Sequence, residues 1–382
     1  MDGRERAAAA HATGGAVARV TRAVAGTHEV LTGAVRTGLA PLGPVGRLPF
    51  EASALMARAN FAAVEAVARG VGATAAPVLE ATAAPDARPA SEHPPAVAWL
   101  AALGGAFGDR LVGDERVRAL TVPMSLRERG VPVEIDPRGS EGAPGGERSP
   151  TVVVFVHGLG NHESMWGQTY LDLVRAHGAT PLTVRYTTGQ AIADSGAELA
   201  DLLERLVASW PVLLERIVLV GHSMGGLVIR EALARSGGWR ALVTDVLTLG
   251  TPHAGAPLER AAVRGLGLVS AVPVTAPLAA LGDERSTGIK DLGFADVAPA
   301  TAGPGWHLVA ATLRRRDPVG LVGRARAGLL APLGDGLVTV DSAFAVEEHL
   351  TARRLVIDDA SHMALLDHPE AADVLRQVLA AA

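Results

Sequence analysis

The chain has 382 residues, a formal net charge of −5 and no cysteine. Its length allows one large domain with an appendage, its mild acidity offers no footprint for a nucleic-acid partner, and the missing thiols exclude disulfides, thiolate catalysis and Cys-ligated metal. Basic charge rests on arginine, Lys290 being the only lysine, and alanine is abundant, a bias that fits the coding of a GC-rich bacterial genome.

The first six residues, Met1-Asp2-Gly3-Arg4-Glu5-Arg6, carry acidic groups and lead into alanine and glycine, so no secretory signal is expected and a cytoplasmic location is the default. Residues 1–83 form an Ala-rich segment with two helical stripes, Val17, Val20, Val24, Leu31 and Val35, then Leu55, Ala59, Ala63, Val67 and Val71, separated by Pro41 and Pro44. This spacing predicts two antiparallel helices. Their small apolar faces are first of all packing faces; self-association or contact with a lipid surface is the alternative use. Residues 84–118 contain a linker with Pro85, Pro89, Pro94 and Pro95 and a short apolar helix from Ala96 to Phe107 that is expected to dock on the α/β portion of the chain.

Residues 119–382 read as α/β. A hairpin from Leu120 to Leu126 and Val131 to Ile135 is followed by a Gly/Pro/Ser-rich loop and the apolar run Thr151 to Val156, which ends in His157-Gly158-Leu159-Gly160. Helix and strand patterns then alternate: Glu163 to Ala176, Pro181 to Tyr186, Ala191 to Ser209, Arg216 to Val220, Met224 to Ser236, and Leu242 to Leu249. After an insertion at about 256–300, strands are expected at Trp306 to Leu313, Leu337 to Val340 and Leu355 to Asp358, with a last helix from Pro369 to Leu379. Such alternation specifies a mostly parallel sheet covered on both faces. Within the insertion, the uncharged run Gly265 to Gly282 approaches membrane-spanning length, but Pro273 and Pro277 interrupt it, and it reads as a cap over a pocket.

The chemistry concentrates at Gly221-His222-Ser223-Met224-Gly225-Gly226, where a buried strand turns sharply into a helix. A serine on such a turn is held above the strand end in strained geometry, making Ser223 a candidate nucleophile. The glycine-rich backbone after Val156 can turn an N–H toward an oxyanion. Candidate partners lie downstream in the order Ser…Asp…His, with His362 directly after a strand and Asp335, Asp341, Asp358 and Asp359 all preceding it. Order alone does not choose among the four. Asp335 lies between two glycines that can carry it to the sheet rim, and Asp341 comes after an expected strand.

These motifs resemble the α/β-hydrolase superfamily, in particular its bacterial lipase- and esterase-like branch. The resemblance rests on His157-Gly158-Leu159-Gly160, Gly221 to Gly226, Leu249-Gly250-Thr251-Pro252-His253-Ala254-Gly255, Gly334-Asp335-Gly336-Leu337-Val338, and Ser361-His362-Met363-Ala364-Leu365-Leu366. It covers roughly residues 120–382 and implies Ser223 as nucleophile, His362 as general base, Asp335 as its orienting acid, and the N–H groups of Leu159 and Met224 as the oxyanion hole. The Arg-rich and Gly-rich stretch from Arg314 to Leu333 is a departure from the pattern and bears on the placement of the acid.

A serine hydroxyl is a poor nucleophile at neutral pH, so an imidazole must take its proton and a carboxylate must fix the ring. The expected activity is hydrolysis of carboxylic esters through an acyl-enzyme, on a small-molecule or lipid ester. Leu258, Leu266, Val269, Val272 and Leu278 of the cap are the candidate substrate-binding residues. An acyltransferase with the same triad, or a non-catalytic scaffold that presents the N-terminal helices, are the alternatives. The histidines at 157, 162, 253, 307, 349 and 368 show no ligand spacing, so neither metal nor another cofactor is expected. His222 reads as a packing residue, and His157 as one that fixes the oxyanion loop by hydrogen bonding.

Overall fold

The computed structural model describes residues 2–15, 18, 62, 69–70, 73, 76, 89–92, 94–134, 148–255, 286–294, 297–314 and 334–381. Most of the two N-terminal stripes, the cap residues Leu258, Leu266, Val269, Val272 and Leu278, and residues 315–333 lie outside the described residues. The chain divides into two compact units: Met1–Leu100, Arg110–Thr121 and Ala261–Arg285 make one, and Ala101–Asp109, Val122–Arg260 and Ser286–Ala382 the other.

In the first unit, residues 3–15 are helical. The helix start is a reciprocal cap in which Glu5 N donates to Asp2 Oδ1 at 2.8 Å and Asp2 N donates to Glu5 Oε2 at 2.7 Å. Two N–H groups near a helix start are thereby bonded. Helix α1, Pro94–Gly113, has residues in both units and departs from helical geometry at Phe107, with φ −139° and ψ 19°. The sequence reading ended the helix at that residue, whereas the chain resumes helical geometry beyond it. Among the described residues, no helix is long and apolar enough to cross a membrane.

The second unit holds the strands β1 Ser125–Glu128, β2 Val131–Pro132, β3 Thr151–Val156, β4 Thr180–Arg185, β5 Arg216–His222, β6 Val243–Leu249, β7 Gly305–Thr312 and β8 Ala352–Asp358. Helices α2 (Gln168–Ala176), α3 (Ile192–Ser209), α4 (Met224–Leu233), α5 (Thr287–Phe294), α6 (Val340–Ala343) and α7 (Pro369–Ala380) connect and follow them. The strands form one sheet in the order β2-β1-β4-β3-β5-β6-β7-β8. β1 runs antiparallel to β2 and β4, and the remaining pairs are parallel.

Alternate residues of the central strands go to opposite faces. On one face Val152, Val154, Leu219 and Leu308 pack with Leu199 and Leu203 of α3 and Leu227 and Val228 of α4. On the other, Val153, Phe155, Val218 and Val309 pack with Tyr170 and Val174 of α2 and Leu375 and Val378 of α7. Burying a Val or Leu side chain is worth about 1.5–3 kcal/mol, and every residue from Val152 to Val156 is fully buried, which makes β3 a central strand.

Two expected strands differ. Leu337 to Val340 is not a strand: the Asp335 side chain accepts from Leu337 N at 3.0 Å and Val338 N at 2.8 Å, which curls the chain, and Thr339 then caps α6. This local side-chain bonding outcompetes the ladder that the apolar run suggested. Likewise Leu120 ends a 3₁₀ turn, Arg118–Leu120, and pairing begins only at Ser125.

Candidate active site

The parallel strands end together at one edge of the sheet, since Val156 pairs with Gly221, Gly221 with Thr248, and Leu249 with Val309. Loops beyond the carboxyl ends of such strands are where open α/β sheets carry their sites. Ser223 immediately follows β5 and has φ 53° and ψ −127°, a left-handed conformation that a non-glycine residue adopts only when its surroundings hold it there. Its N–H donates to Leu249 O at 2.8 Å. The turn closes only because position 225 lacks a side chain: a Cβ on Gly225 would lie 2.1 Å from Val156 O. Ser223 itself is 9% exposed.

Asp335 and His362 meet across 27 residues of sequence. His362 Nδ1 donates to Asp335 Oδ2 at 2.7 Å, and His362 N donates to Asp335 O at 3.0 Å. Asp335 Oδ1 is occupied by the two backbone donors of its own turn, and Leu313 N, just past β7, donates to Gly334 O at 2.8 Å. The carboxylate is thus tied to the end of β7 and the imidazole to the end of β8. Because Nδ1 carries the proton, the lone pair is on Nε2, the arrangement a general base needs. Both side chains are buried. Asp341 is exposed in the first turn of α6, and Asp359, at φ 58°, shapes the turn after β8.

His222 stacks beside His362, with ring centroids 4.7 Å apart, and its Nε2 donates to His362 O at 3.1 Å. Burial, reinforced by the neighbouring His362, pushes its pKa down to about 3, so it stays neutral. The packing role read for His222 therefore includes a backbone bond to His362 that no sequence pattern announces.

The loop after β3 is held from several sides. His157 Nδ1 donates to Gly158 O at 3.0 Å, Tyr186 Oη donates to His157 O at 2.7 Å, and Gly160 N donates to Thr188 Oγ1 at 3.0 Å. Burial lowers the pKa of His157 to about 4. A Cβ on Gly158 would lie 2.8 Å from Ser223 Cβ, so this loop passes directly against the serine. Leu159 sits between the anchored residues. Met224 opens α4, where N–H groups remain unused by intrahelical bonding and the positive end of the helix dipole lies.

Tyr186 and Thr188 were not singled out from the sequence; they come after β4 without any motif. His253 lies among polar neighbours. Its Nδ1 lies 3.3 Å from Arg230 Nη1 and its Nε2 3.3 Å from Thr248 Oγ1, and burial with the Arg230 charge lowers its pKa to about 3. Among the described residues, no group of three or more His, Cys, Asp or Glu could hold a metal ion.

A family model described as the alpha/beta hydrolase family matches residues 153–372, more than half of the chain. The chain belongs to this family. Solved structures similar to it include the lipase BlEst2 of Bacillus licheniformis in mature form, with 21% identity over 62% of this chain and 96% of that one and a TM-score of 0.44. The same lipase in its propeptide form has 21% identity over 62% of this chain and a TM-score of 0.45; the match spans 52% of that longer chain. A lipase-esterase related protein from Clostridium acetobutylicum has 13% identity over 62% of this chain and 96% of that one, with a TM-score of 0.39. No curated protein matches the sequence.

Proposed function

We propose that this member of the alpha/beta hydrolase family is a serine hydrolase that cleaves carboxylic esters through an acyl-enzyme. The observation that carries the reading is the buried 2.7 Å bond from His362 Nδ1 to Asp335 Oδ2 at the sheet edge that also bears the strained Ser223. In this reading His362 Nε2 takes the Ser223 proton as Oγ attacks the ester carbonyl carbon. The alkoxide leaves with that proton, and an acyl-serine remains. Water, deprotonated by His362, then attacks the acyl carbon and releases the carboxylic acid and free Ser223. Asp335 holds the ring tautomer and stabilises the transient imidazolium. The N–H groups of Leu159 and Met224 are the oxyanion donors, each worth about 3–4 kcal/mol of barrier. Leu258, Leu266, Val269, Val272 and Leu278 would face a mainly apolar acyl group.

Labelling with a fluorophosphonate probe, followed by hydrolysis of p-nitrophenyl esters of graded chain length, tests the reading. Wild type is expected to label at one site and turn over the esters. Ser223→Ala is expected to lose both while keeping its circular dichroism and unfolding temperature. Near wild-type turnover by that variant would exclude the assignment, and a wild type that neither labels nor turns over would leave a scaffold.

A further inference from the structure

His222 ends β5 and directly precedes Ser223. Alternation along the strand puts its side chain on the face of Val218 and Val220, where it is fully buried. Its ring neighbours there are Trp166, edge to face with centroids 6.4 Å apart, and His362, with centroids 4.7 Å apart. Burial keeps the imidazole neutral. With its proton on Nε2, Nδ1 is a bare acceptor that meets no donor among the described residues. A buried acceptor without a partner costs stability, and an apolar side chain of similar size would fill the space without that cost. What a histidine supplies that such a side chain lacks is a donor, and this donor goes to His362 O at 3.1 Å.

The bond completes a frame around His362. The His362 N–H donates to Asp335 O at 3.0 Å and its Nδ1 to Asp335 Oδ2 at 2.7 Å. Those two bonds tie the residue to the loop beyond β7, whereas the His222 bond ties it to β5, one residue from Ser223. Gly250 backs the ring at Cε1, where an added Cβ would lie 3.1 Å away, so little room is left on that side. Proton transfer between a hydroxyl and an imidazole depends steeply on the placement of both groups. A ring anchored to residue 222 moves with the turn that carries the hydroxyl.

We propose that His222 is a positioning residue for His362: its Nε2–H, bonded to His362 O, keeps the imidazole in register with the Ser223 hydroxyl. The catalytic consequence rests on the serine-hydrolase reading, while the placement of the ring can be measured without it.

Three variants of the full chain separate the donor from the packing. His222→Phe and His222→Leu keep a buried apolar filler and remove the donor, each standing in for the other where one does not fold by circular dichroism. His222→Gln keeps a donor, since its amide nitrogen reaches the place of the imidazole Nε2. On a p-nitrophenyl ester, the Phe and Leu variants are expected to lose kcat by about tenfold or more with KM within about twofold of wild type, and the Gln variant to stay within about threefold in both. A purely structural role would follow the unfolding temperature and would not be rescued by Gln. The second readout is exchange with water of the Nδ1 proton that His362 donates to Asp335, assigned by its loss in His362→Gln. It should exchange about tenfold faster or more in the Phe and Leu variants than in wild type or the Gln variant. If wild type shows no turnover, the hydrolase reading fails by itself and the exchange rates decide whether His222 holds the ring. Unchanged kcat and exchange in a folded variant without the donor, or equal losses in all three variants, overturn the proposal.

Discussion

Asp335 commits both carboxylate oxygens, one to its own turn and one to the imidazole of His362. Removing its charge while keeping its shape should therefore affect the ring more than the fold. Asp335→Asn is expected to lower ester turnover by a factor on the order of 10⁴, because the amide no longer enforces the tautomer or stabilises an imidazolium. Asp341→Asn should lose at most about 1 kcal/mol of helix-end stabilisation and leave turnover nearly intact, since its carboxylate is exposed in the first turn of α6. Steady-state kinetics of the two variants check this; the reverse ranking would move the acid to Asp341. The turn that carries Ser223 was legible in the sequence because a strand, a Gly-x-Ser-x-Gly turn and a helix form one local signal. The carboxylate that bonds His362 was less so: four aspartates precede His362, and the bonds that join Asp335 to it link chain segments that only the fold brings together.

At the scale of elements, the parallel strands were legible because burial on both faces leaves near-continuous apolar runs such as Val152 to Val156. What the sequence hid is how α1 meets the loop beside Ser223. Its central residues lie against two loops backbone to backbone: a Cβ on Gly105 would come 2.9 Å from Gly160 Cα in the loop after β3, and one on Gly108 2.7 Å from backbone atoms of Gly189 in the loop after β4. Asp109 N donates to Gly189 O at 3.3 Å, and Ser286 Oγ donates to Gly105 O at 2.7 Å. Apolar periodicity does not register such contacts, since their signal is the lack of a side chain. Gly105→Val should push the loop carrying Leu159 away from Ser223. Displacements near 1 Å can cost about 100-fold in rate, and overpacking costs about 1–3 kcal/mol of stability. A drop in ester kcat of at least tenfold is expected, alongside a lowered unfolding temperature. Gly113→Ala on the same helix is the control, because a Cβ there meets nothing within 4 Å. Unchanged kcat in Gly105→Val would remove α1 from the positioning of this loop.

For the whole molecule, three buried histidines among the described residues carry much of the response to acid, and His162, whose pKa is also lowered by burial, acts in the same direction. His157, His222 and His253 are buried, and burial lowers their pKa values to about 4, 3 and 3. An unfolded histidine titrates near 6.5. As pH falls through 6.5 the unfolded chain takes up protons that the folded chain refuses, so stability falls with pH, and it goes on falling until the folded values are reached. Each histidine contributes up to about 1.4 kcal/mol per pH unit in that window. The carboxylates act lower. Asp245, where burial is outweighed by bonds from His307 and Arg216, is held at about 2, so its stabilisation is present above its unfolded pKa near 3.9 and is lost only below it. The limb between pH 6.5 and 5 therefore belongs to the histidines. Denaturant unfolding at pH 7, 6 and 5 is expected to show proton uptake on unfolding that rises as pH falls, with His157, His222 and His253 contributing close to three at the acid end. His222→Gln keeps a donor for His362 O and should remove close to one proton from that slope. In the folded protein, the imidazole Cε1–H signals of these three histidines should not titrate above pH 5. Any of them moving with a midpoint near 6.5 would show that it is not sealed from water, and the acid sensitivity would then need another source.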